Sequence, residues 1–278
     1  MDDKMRRIGP SDLLMLTNIP TEPTATFSGA AAIPQISEVA CPHCEGAGYY
    51  KEAVPFGHPH FGVLFPCDCK LQEKELRRID ELERLSNLEL LRDKIFETFV
   101  PDVPGVRRAY LRAVEYAKRP QGWLVLFGNY GVGKTHLAAA IANHALKRQI
   151  QVLFAIVPDL LDHLRSTFGP SSEVEYDERF EMIRTVPLLV LDDLGTENTT
   201  PWAREKLFQI MNYRYNDALP TVITSNRKPE DIDPRIFSRM SDRALCEEHI
   251  IIDAADYRRL SLQQRHPFNT NMRRRMPG

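Results

Sequence analysis

The stretch Gly122–Asn143, GWLVLFGNYGVGKTHLAAAIAN, decides the fold of this chain. It opens with the apolar run Trp123–Phe127, passes through GNYGVGKT at Gly128–Thr135, and continues with apolar residues at helical spacing. The octapeptide fits G-x-x-x-x-G-K-[ST], in which a glycine-rich turn joins a buried strand to a helix. Backbone N–H groups and the positive end of the helix then face one point, where phosphate oxygens bind. The stretch predicts a phosphate-binding turn in a parallel α/β sheet.

Each position of this turn has an expected part in binding ATP and Mg²⁺. We expect Lys134 to reach the β- and γ-phosphates and the hydroxyl of Thr135 to bind the metal. The residues predicted to contact the nucleotide are Gly128, Asn129, Tyr130, Gly131, Val132, Gly133, Lys134, Thr135 and His136.

Two further apolar runs end in polar side chains. Asp192 and Asp193 follow Leu188–Leu191, and Asn226 lies just beyond Thr221–Thr224. The carboxyl ends of parallel strands meet at the sheet edge where ligands bind. We expect Asp192 to hold Mg²⁺ largely through water, Asp193 to orient the attacking water, and Asn226 to sense the γ-phosphate. The alternative for the two acids is a cap on the next turn.

The remaining patterns alternate between strands and helices, as in a wound parallel sheet. Val152–Val157 is predicted as a further strand. Helical spacing is found in Thr135–Arg148, Pro158–Thr167 and Trp202–Asn216.

Three arginines, Arg235, Arg239 and Arg243, are spaced four residues apart, which predicts one face of a helix. In a monomer such a stripe is solvated or paired with acids. In an oligomer, an arginine can instead reach the γ-phosphate of a neighbouring subunit and stabilise charge in the transition state. We expect self-association with Arg239 acting in trans, and Lys134, Asp193, Asn226 and Arg239 as the catalytic set.

A cysteine block precedes these motifs. Cys41 and Cys44 form a C-x-x-C pair, and Cys67 and Cys69 form a C-x-C pair. Four thiolates in two close pairs suit a tetrahedral Zn²⁺. Unliganded thiols and an iron–sulfur cluster remain alternatives, and one cysteine could be replaced as a ligand by His43, His58 or His60.

So small a metal module needs the ion to stay folded. We expect its apolar residues to cluster around the metal as a miniature core; these are Phe56, Phe61, Val63, Leu64 and Phe65. Cys246 has no partner in the sequence and is predicted to be a small core residue.

The predicted organisation has five parts: a flexible N-terminal segment (1–40), a zinc-binding module (41–70), a charged linker helix (71–100), an ATPase core (101–260) and a basic C-terminal tail (261–278). The linker helix is predicted from apolar residues at every third position between Leu71 and Lys94. Either the charges of this helix are merely solvated, or it is a partner-binding or packing helix.

Net charge and hydropathy limit the classes of function that are possible for this chain. The formal net charge of −2 excludes nucleic-acid binding through overall charge alone, so such binding needs a local basic patch. No apolar stretch is long enough to span a membrane, and the N-terminus lacks the pattern of a secretion signal, so we expect a cytoplasmic protein. Candidate contacts to DNA are Lys147, Arg148, Arg204, Lys206, Arg214 and the arginine-rich tail.

Together, the motifs GWLVLFGNYGVGKTHLAAAIAN, LLVLDDLGTE, TVITSN and SRMSDR resemble the DnaC/DnaI/IstB branch of AAA+ ATPases over roughly residues 95–260. The resemblance implies a RecA-like core without a full helical lid, ATP-linked assembly, and work on DNA. It places the arginine finger of the family at Arg239, and its sensor-2 position at Arg258, as a further nucleotide contact. Most AAA+ proteins carry Glu where this chain has Asp193, so we expect slow hydrolysis.

The resemblance leaves two leading functions. One is a helicase loader that delivers a replicative helicase to single-stranded DNA, since loaders resembling DnaI carry an N-terminal zinc module that grips the helicase. The other is an IstB-like transposition helper that remodels DNA for a transposase. The cysteine block favours loading. A small-molecule kinase and a non-hydrolysing scaffold are weaker alternatives.

Overall fold

The computed structural model describes residues 41–166, 173–196, 200–261 and 265. The predicted flexible segment 1–40 lies outside these residues, as does nearly all of the predicted tail 261–278. Numbered along the chain, the strands are β1 (Tyr49–Lys51), β2 (Leu64–Pro66), β3 (Trp123–Gly128), β4 (Val152–Ile156), β5 (Leu188–Asp192), β6 (Thr221–Ser225) and β7 (His249–Ile252).

The α-helices are α1 (Asp68–Leu85), α2 (Arg107–Lys118), α3 (Lys134–Lys147), α4 (Val157–Ser166), α5 (Glu173–Thr185), α6 (Pro201–Asn216) and α7 (Pro234–Met240). Short 3₁₀ turns lie at Asn87–Leu91, Phe96–Thr98, Pro229–Asp231 and Tyr257–Arg259. Among the described residues, none of these helices combines the length and apolarity needed to cross a membrane.

Strands β3 to β7 form one parallel sheet in the order β4-β5-β6-β3-β7, while β1 and β2 form a separate antiparallel hairpin. The predicted parallel α/β core is therefore confirmed. Because β3 lies between β6 and β7 and β6 is next to β5, the glycine-rich turn after β3 lies close to the carboxyl ends of β5 and β6. Strand β7 and helix α5 were not predicted from the sequence.

Helices cover both faces of this sheet, as parallel sheets require. Alternate residues of β3 divide between the two sides: Leu124 and Leu126 pack with α2 and α3, whereas Val125 and Phe127 pack with α4 and α6. Both faces of the strand are therefore dry, which explains its uninterrupted apolar sequence.

The charged segment after the cysteines differs from the predicted linker helix. Helix α1 ends at Leu85 rather than near Lys94, and it packs against the core instead of standing in solvent. Leu82 is buried in the same apolar cluster as β3, and the hydroxyl of Ser86 accepts the N–H of Phe154 on β4 at 3.2 Å. Its charged side contacts α5, where Glu81 pairs with Arg179.

Residues 87–100 also pack against the α/β core. Asn143 on α3 donates its amide N–H groups to the carbonyls of Leu91 and Lys94, both at 3.0 Å. Leu88 is buried in the cluster that contains α3. The core boundary at residue 101 stays a prediction, but the chain before it is bound to the same helix that follows the phosphate turn.

The prediction that Arg214 contacts DNA is wrong, because its side chain is fully buried. Its guanidinium donates to Oγ1 of Thr221 at 2.9 Å and to the carbonyls of Val186 (2.8 Å), Pro220 (2.6 Å) and Arg184 (3.0 Å). Burial lowers the pKa of Arg214 to about 10. The residue ties α6 to the chain segments that enter β5 and β6, and it is inaccessible to DNA.

We expect Arg214→Ala to lower the free energy of unfolding by about 3–5 kcal/mol, because it removes a donor from the buried Val186 carbonyl and two partly buried carbonyls and leaves a large cavity beside them. Urea unfolding followed by circular dichroism measures the change. Arg204→Ala, on the exposed side of the same helix, is the control and should stay within about 0.5 kcal/mol of the parent. Equal effects of the two substitutions would contradict the structural role of Arg214.

Candidate nucleotide-binding site and cysteine cluster

The turn between β3 and α3 has a backbone that only glycine adopts easily. Gly131 and Gly133 have φ angles of 72° and 94°. A Cβ on Gly131 would lie 1.8 Å from Oδ1 of Asp256, and one on Gly133 would lie 2.8 Å from the ring of Phe99. The lack of a side chain therefore lets two other segments approach the turn closely: Phe99 packs against Gly133, and Asp256 packs against Gly131.

Lys134 begins α3 inside this turn and is only 6% exposed. Its ammonium donates to the carbonyls of Gly128 and Asn129, both at 2.9 Å. Burial lowers the pKa of Lys134, while the charges of Asp193 and Asp192 act in the opposite direction. A partly desolvated ammonium surrounded by the loop is suited to bind phosphate oxygens.

Asp192, the last residue of β5, is 3% exposed and is held by two hydroxyls. Thr135 donates to its Oδ2 at 2.9 Å, and Thr224 of β6 donates to its Oδ1 at 2.6 Å. Burial raises the pKa of Asp192, and the hydrogen bond from Thr224 opposes this effect. The carboxylate and the Thr135 hydroxyl form an oxygen-rich corner of the kind that Mg²⁺ prefers.

Asp193 lies just beyond the strand in a left-handed conformation, with φ of 59°, which is uncommon outside glycine. Two hydrogen bonds hold it there: its N–H donates to Oγ1 of Thr224 at 3.0 Å, and its carbonyl accepts from the Thr196 hydroxyl at 2.7 Å. This bend allows adjacent acids to occupy different places, with Asp192 buried and Asp193 on the cavity wall. Thr224 had no role in the sequence interpretation, although a hydroxyl within an apolar strand was a visible signal.

Asn226 carries an unusual side chain for a folded interior. Its amide nitrogen and oxygen are both buried, and neither has a hydrogen-bond partner among the described residues. Buried polar atoms are nearly always paired, so an unpaired amide at the end of β6 is an exception that packing alone does not explain. This free amide, the curled glycine turn and the Lys134 ammonium together fit a nucleoside triphosphate.

A cavity of about 630 Å³ opens over the turn. Its wall includes the predicted residues Tyr130, Gly131, Val132, Gly133, Lys134, Thr135, His136, Asp193 and Arg258. Gly128, Asn129, Asp192 and Asn226 do not line it; the first two hold Lys134 from behind through their carbonyls. Arg258 is close enough for its charge to contribute to lowering the pKa of Lys134.

The sequence interpretation missed the apolar half of this cavity. Phe99, Val100, Val103 and Val106 line it, and Tyr257 closes it from the C-terminal side by donating its N–H to the Gly131 carbonyl at 3.0 Å. Phe99 to Val106 precede the glycine turn by 22 to 29 positions, Tyr257 follows all the motifs, and none of them carries a chemical signature. An apolar wall beside a phosphate turn suits a purine ring.

The arginine stripe is only partly as predicted. Helix α7 has seven residues and ends at Met240, so Arg243 lies beyond it and does not share a helical face with Arg235 and Arg239. Arg235 pairs with Glu205 and Asp233. Arg239 does not line the cavity of its own subunit; it lies across α6, where it donates to Asn212.

The four predicted cysteine ligands come together in space. The sulfurs of Cys41, Cys44, Cys67 and Cys69 all lie within 4.8 Å of one another. Cys44 also accepts the N–H of Gly48 at 3.2 Å. Burial raises the pKa of Cys44, but hydrogen bonds from Cys69 and backbone amides outweigh it and lower that pKa to about 7. The four sulfurs match the donor set of a tetrahedral Zn²⁺ site.

No histidine joins this cluster among the described residues. His60 pairs with Glu52 at 2.7 Å and its ring meets those of His58 and Phe65. The predicted miniature apolar core is wrong, because Phe56 is 91% exposed and Leu64 60% exposed. The other members, Phe61 and Val63, are exposed too, and only Phe65 is partly buried. The sulfur cluster, rather than apolar packing, closes this part of the chain.

Comparison with known proteins identifies the family of this chain. Residues 67–265 match the family model described as IstB-like ATP binding protein. The chain belongs to this family. It is 30% identical over 151 residues to the replicative helicase loader DnaI of Bacillus subtilis, covering 52% of this chain and 48% of that protein. The same identity and length relate it to the replicative helicase loader DnaC of Escherichia coli, covering 53% of this chain and 61% of that protein. The chain thus spans about half of these relatives.

Solved structures support the fold. A crystal structure of the DnaC helicase loader aligns with a TM-score of 0.50 at 26% identity, covering 58% of this chain and 97% of that one. The replication initiator DnaA bound to AMPPCP and single-stranded DNA aligns with a TM-score of 0.50 at 24% identity, covering 58% of this chain and 50% of that one. The predicted relation to DnaC, DnaI and IstB, and the AAA+ type of core, are confirmed.

We expect the purified chain to carry one Zn²⁺, measured by metal analysis, and Cys44→Ser to lose it because three thiolates and a hydroxyl bind zinc less tightly. Cys246→Ala is the matched control. Cys246 is buried in the core, away from the cluster, and burial raises the pKa of its thiol to about 11. Zinc retained by Cys44→Ser, or lost equally from both variants, would contradict the site.

Proposed function

We propose that this protein is an ATPase that acts as an ATP-switched oligomer and loads a replicative helicase onto single-stranded DNA. The observation that carries the proposal is the arrangement at the ends of β3, β5 and β6. There the glycine turn, the buried Lys134 and Asp193 line one cavity, and Asp192 lies behind it on the hydroxyl of Thr135.

ATP binding is assigned to the turn and the cavity above it. Lys134 would exchange its two carbonyl partners for phosphate oxygens, and the backbone N–H groups of the turn would bind the same oxygens. Thr135 and Asp192 would hold Mg²⁺, which neutralises charge on the phosphates. The apolar wall at Phe99 and Val103 would receive the base.

Hydrolysis is assigned to Asp193 with Asn226. Asp193 reaches the cavity through its left-handed bend, as a group that positions the attacking water must. Its carboxylate is one methylene shorter than that of the glutamate found in most AAA+ proteins, so water is held less closely and turnover is slow. Slow turnover suits a switch, in which the bound state lasts long enough to direct assembly.

Completion of the site is assigned to a second copy of the chain. Arg239 does not line its own cavity, and its guanidinium pairs with no carboxylate among the described residues. An unneutralised arginine at the surface can meet a phosphate of a neighbouring subunit, where such a finger accelerates hydrolysis strongly. ATP would therefore favour assembly, and hydrolysis would end it.

The choice between a loader and a transposition helper rests on the N-terminal part. The relatives DnaI and DnaC are named replicative helicase loaders, and the cysteine cluster provides a separate module to hold the helicase. The IstB-like alternative shares the ATPase motifs and is favoured by the family description. We place the loader first because the module has no evident part in ATP chemistry.

Single-stranded DNA would be bound by basic residues that the oligomer repeats. Lys147 and Arg204 are exposed. Arg148 donates to the carbonyl of Lys118 at 2.5 Å and is still exposed. Lys206 lies over the rings of Tyr176 and Phe180 and is partly exposed. Arg214 is removed from the candidates because it is buried.

We expect Lys134→Ala to weaken ATP binding by about 10- to 100-fold, since charged hydrogen bonds are worth about 1.5–3 kcal/mol. Asp193→Ala should bind ATP normally and hydrolyse it about 100-fold more slowly. Fluorescent-nucleotide titration and phosphate release separate the two steps. Lys118→Ala and Asp80→Ala, at exposed positions outside the cavity, are the controls. Normal ATP uptake by Lys134→Ala would overturn the assigned site.

The partner is tested by retention on the immobilised full chain with ATP and Mg²⁺, using a purified replicative helicase and a purified transposase from the same genome. We expect the helicase to be retained, and Cys44→Ser to abolish retention while ATP binding persists. Retention of the transposase instead would favour the transposition helper. Retention of the helicase by Cys44→Ser would remove the cysteine module from the contact.

A further inference from the structure

The guanidinium of Arg239 is fixed in place by α6. Its Nε and Nη2 both donate to Oδ1 of Asn212, at 2.9 and 2.5 Å, and its Nη1 donates to the carbonyl of Arg235 at 2.8 Å. The guanidinium carbon lies 4.6 Å from the ring centroid of Phe208 and 5.6 Å from that of Tyr215. A long side chain with many rotamers is thus held in one of them.

The same contacts leave part of the guanidinium available. Arginine has five N–H donors, and three of them are engaged here. The remaining two belong to the terminal nitrogens Nη1 and Nη2, the pair that binds phosphate in a bidentate manner. The side chain is only partly buried. Arg239 can therefore keep Asn212 while it contacts a phosphate on another subunit.

Arg235, on the same short helix, is paired with acidic side chains instead of a neutral amide. It also lies over Phe208, at 4.2 Å, but its partners are the carboxylates of Glu205 and Asp233. These acids neutralise its charge and raise its pKa. Arg239 is held by a neutral amide instead, and among the described residues it forms no ion pair. A neutral acceptor orients a guanidinium without cancelling the charge that a phosphate must meet.

We propose that Asn212 is a positioning residue for the trans-acting Arg239: its amide oxygen orients the guanidinium towards the neighbouring subunit and leaves its positive charge uncompensated. This inference rests on the proposed function, because it requires Arg239 to act on a second copy of the chain. Asn212 itself contacts no phosphate. Its effect passes entirely through the geometry and charge of Arg239.

The test uses mixtures of full-length subunits, in which the subunit that donates the finger differs from the one that binds ATP. Arg239→Ala subunits keep the ATP site and lack the finger, whereas Lys134→Ala subunits keep the finger and lack the ATP site. Each is expected to be nearly inactive alone. Mixing them should restore phosphate release, because the intact Arg239 of one serves the ATP bound to the other.

Asn212→Ala is then added to the Lys134→Ala donor. We expect restored turnover to fall by roughly 10- to 100-fold, the size of effect that misplacement of a catalytic group produces. Asn212→Asp in the donor should also lower it, because the carboxylate holds the guanidinium but neutralises it. If Asn212 only joined α6 to α7, Asn212→Asp would preserve that contact, because the two side chains have the same shape, and turnover would not fall. Gln209→Ala, an amide on the same helix that contacts Glu205 and Lys206, is the matched control.

The outcomes separate the two proposals. If mixing Arg239→Ala with Lys134→Ala restores nothing, the trans finger itself is wrong. If mixing restores turnover and the Asn212→Ala or Asn212→Asp donor performs as well as the parent donor, the trans finger stands and the role of Asn212 is overturned. The single variants Asn212→Ala and Asn212→Asp are also titrated with fluorescent ATP. If each variant binds ATP at its own site as the parent does, the effect passes through Arg239. If ATP binding falls as much as turnover does, that interpretation is contradicted.

Discussion

The buried carboxylate of Asp192 is the constraint on which this site depends. It receives hydroxyl hydrogen bonds from the first turn of α3 and from β6, while it ends β5 itself. A buried charge without such partners would be costly, so the three elements must keep their relative positions. The parallel register of β5, β6 and β3 supplies those positions. The site is therefore as rigid as the centre of the sheet.

Chemically identical arginines have separate parts in this fold. Arg214 is saturated by backbone carbonyls and serves the packing of α6, whereas Arg239, held by a side-chain amide, keeps free donors at the surface. Arg235 is neutralised by two acids. The difference lies in the partners, which decide whether the charge is available to a ligand. Only one of these three residues retains the properties of a finger.

The cysteine cluster and the ATPase core are physically continuous. Cys67 and Cys69 lie at the start of α1, and the end of α1 packs on β4 through Leu82 and Ser86. A single helix therefore joins the cluster to the edge strand of the central sheet. The exposed aromatic residues between the cysteine pairs contact one another, as in the edge-to-face pair of Phe56 and Phe61, but they form no buried core.

The sequence by itself determined the parallel sheet, the glycine turn, the acids at the end of β5 and the two close cysteine pairs, because each depends on local spacing that a short segment fixes. Tertiary structure alone decided the contacts of Thr224, Phe99 and Asn212, which come from distant segments and have no distinctive pattern. It also decided that Arg214 is buried and that Phe56 is exposed. Burial depends on which elements pack together, and that information is absent from the periodicity of any one of them.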